Sequence, residues 1–195
     1  MAASTDPQAA LPEEFQRAVL ELRAAPVRPE VTIEQVPAPP RVARYSAALS
    51  AEIVVEDTEL ATGRLVLLHD PAGHEAWQGT YRLVAYVRAA IDTEMAADPL
   101  LATVAWSWLT EALESAGAEY TAASGTVTRV TNEGFGTMAG DPPRADLELR
   151  ASWTPVGPVS GAHAEAWSQL LCAAAGLPPV PAGVVALSSR RGSER

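Results

Sequence analysis

The chain has 195 residues, and 48% of them are hydrophobic, which favours one folded domain with a substantial core. Its formal net charge is -10, and all of its 14 basic residues are arginines. Nucleic acids and anionic membranes bind clustered cations, so neither is expected as a partner. The N-terminus lacks a basic stretch followed by an apolar one, and no apolar run reaches membrane-spanning length, so we expect a cytoplasmic protein.

Hydrophobic periodicity and turn residues predict alternating elements along the chain. The expected order is a disordered tail over 1–10, a helix over 12–26, strands over 31–36 and 43–55, a hairpin over 64–88, a helix over 98–117, a strand over 120–130, a loop over 131–144, a strand over 145–153, a helix over 160–175 and a mostly flexible tail over 181–195. Residues 11–180 are thus predicted to form a single domain.

Grouped strands with short links favour an α+β fold, with an antiparallel or mixed sheet of about six strands and helices packed on one face. The order of elements is loosely similar to that of the small chaperones of type III secretion, which are dimers that bind partner chains. A homodimer is therefore one expected assembly.

The hairpin over 64–88 is the most informative stretch. Residues 65–68 are apolar on both faces, which predicts a central strand. The sequence Asp-Pro-Ala-Gly over 70–73 is typical of a turn, so the chain should reverse there. The reversal places five side chains of interest at one end of the sheet, namely His69, Asp70, His74, Glu75 and Trp77.

Two imidazoles and two carboxylates in this tip raise the hypothesis of a metal or acid–base site formed by His69, Asp70, His74 and Glu75. The spacing matches no established metal motif, and the remaining histidine, His163, lies on a distant helix. The alternative is structural: Asp70 caps the turn, His69 ends a strand with a hydrogen bond, and the other two side chains are solvated. No cofactor is predicted.

The tip has a second interpretation as a recognition loop, because Trp77 combines a large apolar body with polar neighbours. Alternatively, Trp77 folds back and covers the open end of the sheet. Both interpretations stay open at this point.

Alternation places several charged side chains on the second face of the sheet. The cations expected there are Arg44, Arg82, Arg88 and Arg150, beside Tyr86. An uncovered arginine cluster could bind an anionic ligand or a partner, since guanidinium groups recognise carboxylate and phosphate. The acids Glu52, Asp146 and Glu148 offer internal partners, and a solvated ladder of ion pairs is the alternative.

Two other sequence features do not indicate a catalytic or binding site. Cys172, the single cysteine, excludes an internal disulfide, and its apolar helical surroundings predict a packed thiol. The glycine-rich segment over 134–140 lacks a lysine and a following helix, so it is a poor phosphate-binding loop.

Four segments carry a resemblance to a known family. They read LLHDPAGHEAWQGT over 67–80, EMAADPLL over 94–101 with WSWL over 106–109, SGTVTR over 124–129 and RASWTP over 150–155. Together they resemble the actinobacterial domain-of-unknown-function family 3000 over roughly residues 13–179. The resemblance implies an actinobacterial cytoplasmic protein and explains the absence of lysine. It implies no activity, cofactor or catalytic residue.

Three functions follow as hypotheses. The first is a non-enzymatic protein-binding or adaptor module that uses the hairpin tip or the polar sheet face, including Arg82 and Arg88. The second is a metal-assisted hydrolase with its site at His69, Asp70, His74 and Glu75. The third is a binder of small anionic ligands. The absence of a nucleophile–base pair favours the first.

Overall fold

A computed structural model describes residues 11–179, so the tails expected over 1–10 and 181–195 lie outside the described range. The helices are α1 (Glu13–Arg23), α2 (Thr93–Ala97), α3 (Leu101–Ser115) and α4 (Ala162–Ala174). The strands are β1 (Val31–Val36), β2 (Tyr45–Val55), β3 (Thr58–His74), β4 (Gly79–Ile91), β5 (Tyr120–Asn132) and β6 (Arg144–Pro155). None of these helices is both long and apolar enough to cross a membrane.

The six strands form one open antiparallel sheet in the order β1-β2-β3-β4-β6-β5. The α+β prediction is confirmed, and of the two kinds of sheet left open the antiparallel one is correct. After β4 the chain passes through α2 and α3 to the far edge, forms β5 there, and returns as β6 between β4 and β5. The prediction of β3 as an inner strand is also confirmed.

The core lies between the sheet and the helices. Alternate residues of the inner strands point to the helices, because strand side chains change face at every residue. Fully buried members from the sheet are Ile53, Leu65, Leu67, Leu83, Leu147, Leu149 and Trp153. They pack against Phe15 of α1, Leu109 and Leu113 of α3, and Trp167 and Leu170 of α4. The helices therefore cover one face of the sheet, as expected.

Element boundaries differ from the prediction around α3. The helix begins at Leu101, not at Asp98, because the Asp98 Oδ1 accepts a hydrogen bond from the Leu100 backbone N–H at 2.8 Å in a turn before the helix. The short helix α2 was not predicted. Its five residues span little more than one turn, too few for a helical period to be recognisable.

β5 contains both a bulge and a glycine at a close backbone approach. The irregularity in β5–β6 pairing lies between Thr121 and Ser124, where Ala122 adopts a left-handed φ of 50°. Gly125 itself marks the close approach, since a Cβ there would meet the Arg150 carbonyl oxygen and the Trp106 ring. Both features lie in one edge strand, two or three residues apart.

Candidate binding face

The face of the sheet that points away from the helices is the candidate functional site, and we call it the open face. On the inner strands it comprises Thr62, Arg64, Val66 and Leu68 of β3, Arg82, Val84, Tyr86 and Arg88 of β4, and Asp146, Glu148, Arg150, Ser152 and Thr154 of β6. A small apolar cluster on this side, Ala48, Val66 and Leu68, packs against Trp77 and the segment over 36–43. In the described part of the chain, no residue of α1 to α4 takes part in that cluster.

His69 lies on the opposite, helix-covered side. Its ring is buried and stacks on Tyr81, with 4.1 Å between ring centroids. Its Nδ1 lies 3.1 Å from the Thr80 carbonyl oxygen, and its Nε2 lies 3.2 Å from a carboxylate oxygen of Glu14 on α1. The structural interpretation, in which His69 makes a hydrogen bond at the strand end, therefore describes this residue.

The prediction that the chain reverses over 70–73 is wrong: this stretch is an irregular part of β3, and the reversal follows at 75–78. The other polar tip residues form local hydrogen bonds. The Asp70 carboxylate accepts a hydrogen bond from the Ala72 backbone N–H at 3.0 Å, and His74 Nδ1 accepts one from the Ala76 N–H at 3.2 Å. Glu75 is exposed at the start of a one-turn 3-10 helix, Glu75–Trp77. These bonds are local side-chain caps of the kind that polar turn residues form.

The four residues of the metal hypothesis are not gathered into one site. Alternation turns His69 to the helices, whereas Asp70 and His74 are engaged in caps further along the tip. Within residues 11–179, no three or more His, Cys, Asp or Glu side chains are grouped so that they could hold a metal ion. A metal site shared by all four side chains stays a prediction that this geometry does not support.

Trp77 folds onto the open face. Its ring stacks on His74 at 5.1 Å between centroids and packs against the apolar cluster of Ala48, Val66 and Leu68. Its carbonyl oxygen accepts a 2.5 Å hydrogen bond from the Thr154 hydroxyl, which ties the tip to β6. Trp77 thus covers one end of the open face while part of its ring stays accessible.

Arg82 is the most unusual charged residue of the open face. It is only 6% exposed, yet no carboxylate lies within 4.0 Å of it in the described part of the chain. Its guanidinium group donates four hydrogen bonds to neutral acceptors. These are the Ala122 carbonyl oxygen at 2.8 Å and the hydroxyls of Thr154, Ser124 and Ser152 at 3.1, 3.2 and 2.7 Å. Burial lowers the pKa of Arg82, which expresses the cost of a desolvated cation.

Two other arginines form ion pairs of the kind that the ladder interpretation predicts. Arg88 pairs with Asp146 at 3.0 Å, and Arg150 pairs with Glu148 at 3.2 Å. The Arg150 guanidinium also lies over the Tyr86 ring, 5.2 Å from its centroid. Burial, followed by the Glu148 carboxylate, raises the pKa of Tyr86.

Arg44, expected on the same face, precedes β2, and its guanidinium lies 5.8 Å from the centroid of the Tyr45 ring. Tyr45 packs against the core on the helix side. No carboxylate lies within 4.0 Å of Arg44 among residues 11–179, so Arg44 is not part of the ladder of ion pairs.

Arg64 is an open-face cation that the sequence analysis did not single out. It is exposed, and no carboxylate lies within 4.0 Å of it among residues 11–179. The alternation in β3 predicts this position, because Arg64 shares a face with Val66 and Leu68. With Arg82 it makes the middle of the open face cationic.

The outer end of the open face is acidic and shallow. A depression of about 190 Å³ on β1, β2 and β3 is lined by Glu34 and Glu52 together with Thr32, Ser50 and Thr62. Such a volume is below the range of roughly 300–1,000 Å³ typical of sites that enclose small molecules. The open face therefore offers a broad surface with an acidic border and a cationic middle.

Two buried titratable groups lie away from this face. Burial raises the pKa of the Cys172 thiol to about 11, so the packed-thiol interpretation fits its surroundings. Burial lowers the pKa of His163 to about 4, and its Nδ1 accepts a 3.2 Å hydrogen bond from the Trp153 indole N–H. His163 is thus neutral in the folded protein at pH 7.

His163 makes the stability depend on pH. The unfolded chain binds a proton at this imidazole below a pKa of about 6.5, whereas the folded chain does so only near 4. The contribution of His163 to stability is therefore fully present well above pH 6.5, and it is lost as the pH falls towards 4. We expect protonation of His163 to lower the free energy of unfolding by about 2 kcal/mol between pH 7.5 and pH 5. Urea denaturation of the wild type and of His163→Gln at both pH values isolates the contribution of His163. If the free energy of unfolding falls equally in the two proteins, this prediction is wrong.

Neither the curated proteins nor the solved structures give a match to this chain. The family described as Protein of unknown function (DUF3000) matches residues 11–185, which include every element described above. The chain belongs to this family.

Proposed function

We propose that the protein is a cytoplasmic, non-enzymatic protein-binding module whose open face binds an acidic, partly apolar segment of another protein. One observation carries the proposal: the middle of the open face holds two guanidinium groups without a carboxylate partner in the described chain, Arg64 and Arg82, next to exposed apolar surface.

Charge supports an acidic partner. The chain as a whole has a formal net charge of -10, so unpaired cations are not the consequence of a basic composition. A buried cation that lacks a counter-ion is costly, and a carboxylate delivered by a partner would reduce that cost. Complementary charge also guides encounter and fixes the register of an interface.

Apolar surface beside these cations supports a protein over a free anion. Val84 is 36% exposed and pairs across the sheet with Val66, and the Tyr86 ring is half-buried on the same strand. Trp77 borders this surface at the tip of the hairpin. Aromatic and arginine side chains around an apolar centre are the composition favoured in protein interfaces.

A capture experiment with matched variants tests the proposal. Arg64→Glu with Val84→Glu reverses and disrupts the open face, whereas Arg17→Glu with Leu20→Glu makes the same charge change on the exposed side of α1. We expect the wild type and the α1 variant to recover one stoichiometric partner from cytoplasm. The open-face variant should recover at least about tenfold less, because like charge then meets the acidic segment.

The partner segment is then mapped by cross-linking and titrated as a synthetic peptide. Its affinity should fall between low salt and about 0.5 M salt, since screening weakens exposed charge pairs. Equal recovery by both variants, or a bound segment without acidic residues, would refute the proposal. Stabilisation of the wild type, but not the open-face variant, by small anions without any protein partner would favour the ligand-binding alternative.

A further inference from the structure

The two edges of the sheet are protected very differently. β1 has six residues, lies between Pro29 and Pro37, and carries Glu34. Proline and charge are common means by which proteins prevent pairing at a sheet edge. β5 has 13 residues, and its register with β6 is uninterrupted over the nine residues from Ser124 to Asn132.

The outer edge of this stretch is free. Beyond the ladder with β6, no backbone hydrogen bond involves residues 124–132 in the described part of the chain. Most of its residues are exposed, so no other described segment covers it. The bulge that could turn an edge away lies before this stretch, at Ala122. A free, regular edge of this length is a template for another strand.

Charge does not protect the edge either. Arg129 is the one charged residue between Ser124 and Asn132. Its guanidinium donates hydrogen bonds to the carbonyl oxygens of Ala96 and Asp98, at 3.2 and 2.9 Å, on the side of α2 and α3. It is therefore held by its own chain and does not project towards an added strand.

We propose that the occupant of this edge is a second copy of the chain, so that two β5 strands pair antiparallel about a two-fold axis at Thr128. Residues 124–132 are self-complementary in this arrangement. Thr128 meets its own copy, Val127 lies opposite Arg129, and Thr126 lies opposite Val130. No like charges meet, and β-branched side chains face each other, which favours cross-strand pairing. The dimer is isologous and closed, and its two sheets become one continuous sheet.

Sedimentation equilibrium of the full chain tests this pairing with two matched variants. Thr128→Arg places an arginine beside Glu148 within the chain but opposite its own copy across the axis. Thr32→Arg places an arginine on the protected edge strand, beside Glu52. Both threonines are exposed, so both variants should fold, which circular dichroism checks.

We expect the wild type and Thr32→Arg to have twice the chain mass of 20.5 kDa. Thr128→Arg should associate at least about tenfold more weakly, because like charges directly opposite each other repel. A monomeric wild type, an undiminished dimer in Thr128→Arg, or an equal loss in both variants would overturn the proposal.

Oxidation provides an independent measurement should Thr128→Arg fail to fold. Thr128→Cys should form a disulfide between two copies, since opposed residues of an antiparallel pair lie at roughly 4.5–5.5 Å, within reach of a disulfide. Thr32→Cys should not. The native Cys172 is buried and stays out of the reaction. Failure of Thr128→Cys to cross-link, or equal cross-linking of both, would overturn the proposed axis.

Discussion

Replacement of Gly125 by alanine is expected to lower the free energy of unfolding by about 3 kcal/mol. Strand propensity alone predicts the opposite sign, because glycine within a strand costs about 0.5–1 kcal/mol relative to alanine. Packing decides the outcome. A Cβ at Gly125 would overlap the Arg150 carbonyl oxygen, lie 2.7 Å from the Trp106 ring and lie 3.0 Å from the Ala151 Cα. The ring can move, but the carbonyl oxygen belongs to the backbone of β6.

Urea denaturation at pH 7.5 measures this change, with Gly140→Ala as the matched control. Gly140 has open space around its Cβ position and an ordinary φ. Alanine there should be neutral or add up to about 1 kcal/mol, since it restricts the unfolded chain. If Gly125→Ala proves as stable as the wild type, β5 and β6 do not approach each other as closely as the structure indicates.

Loss of the Arg82 guanidinium is expected to cost about 2–4 kcal/mol of stability. In Arg82→Met the Ala122 carbonyl oxygen and three hydroxyls lose their donor, and the bulge in β5 loses its attachment to β4. Removal of the buried charge offsets part of this cost. Arg82→Lys keeps the charge but cannot reproduce a planar fork with four bonds, so it should also destabilise.

Arg88→Met is the control for this change, on the same strand and the same face. Arg88 is exposed and paired with Asp146, and surface pairs contribute about 0–1 kcal/mol. Equilibrium denaturation should separate the two positions clearly, and amide hydrogen exchange in Arg82→Met should increase first around Ala122. If Arg82→Met and Arg88→Met lower the free energy of unfolding equally, the four hydrogen bonds of Arg82 do not hold the bulge.

Alternation along the strands was sufficient to predict the two faces of the sheet. It also predicts that His69 faces the helices, because His69 has the same parity as the core residues Leu65 and Leu67. His69 is close to the tip along the chain but faces away from it, so proximity in sequence is the wrong criterion at a strand end. Arg64 was not assigned to the open face, although its parity with Val66 was visible.

The setting of Arg82 could not be predicted in this way. Its acceptors Ala122 and Thr154 lie 40 and 72 residues away along the chain. Their meeting depends on β6 pairing with β4 and on the bulge in β5, and local periodicity specifies neither. The same holds for Trp77, whose contact with the open face follows from the curl of the hairpin tip rather than from its own neighbours in sequence.

The position of Trp77 gives the chain an optical reporter of its own. All five tryptophans lie within the described residues. Trp153 and Trp167 are enclosed between the sheet and the helices, and Trp106 and Trp108 belong to α3. Trp77 alone stands over the open face and is partly accessible to solvent. Trp106 and Trp108 are also partly accessible, so the part of the quenchable emission that Trp77→Phe removes is the signal that distinguishes an occupied open face from a free one.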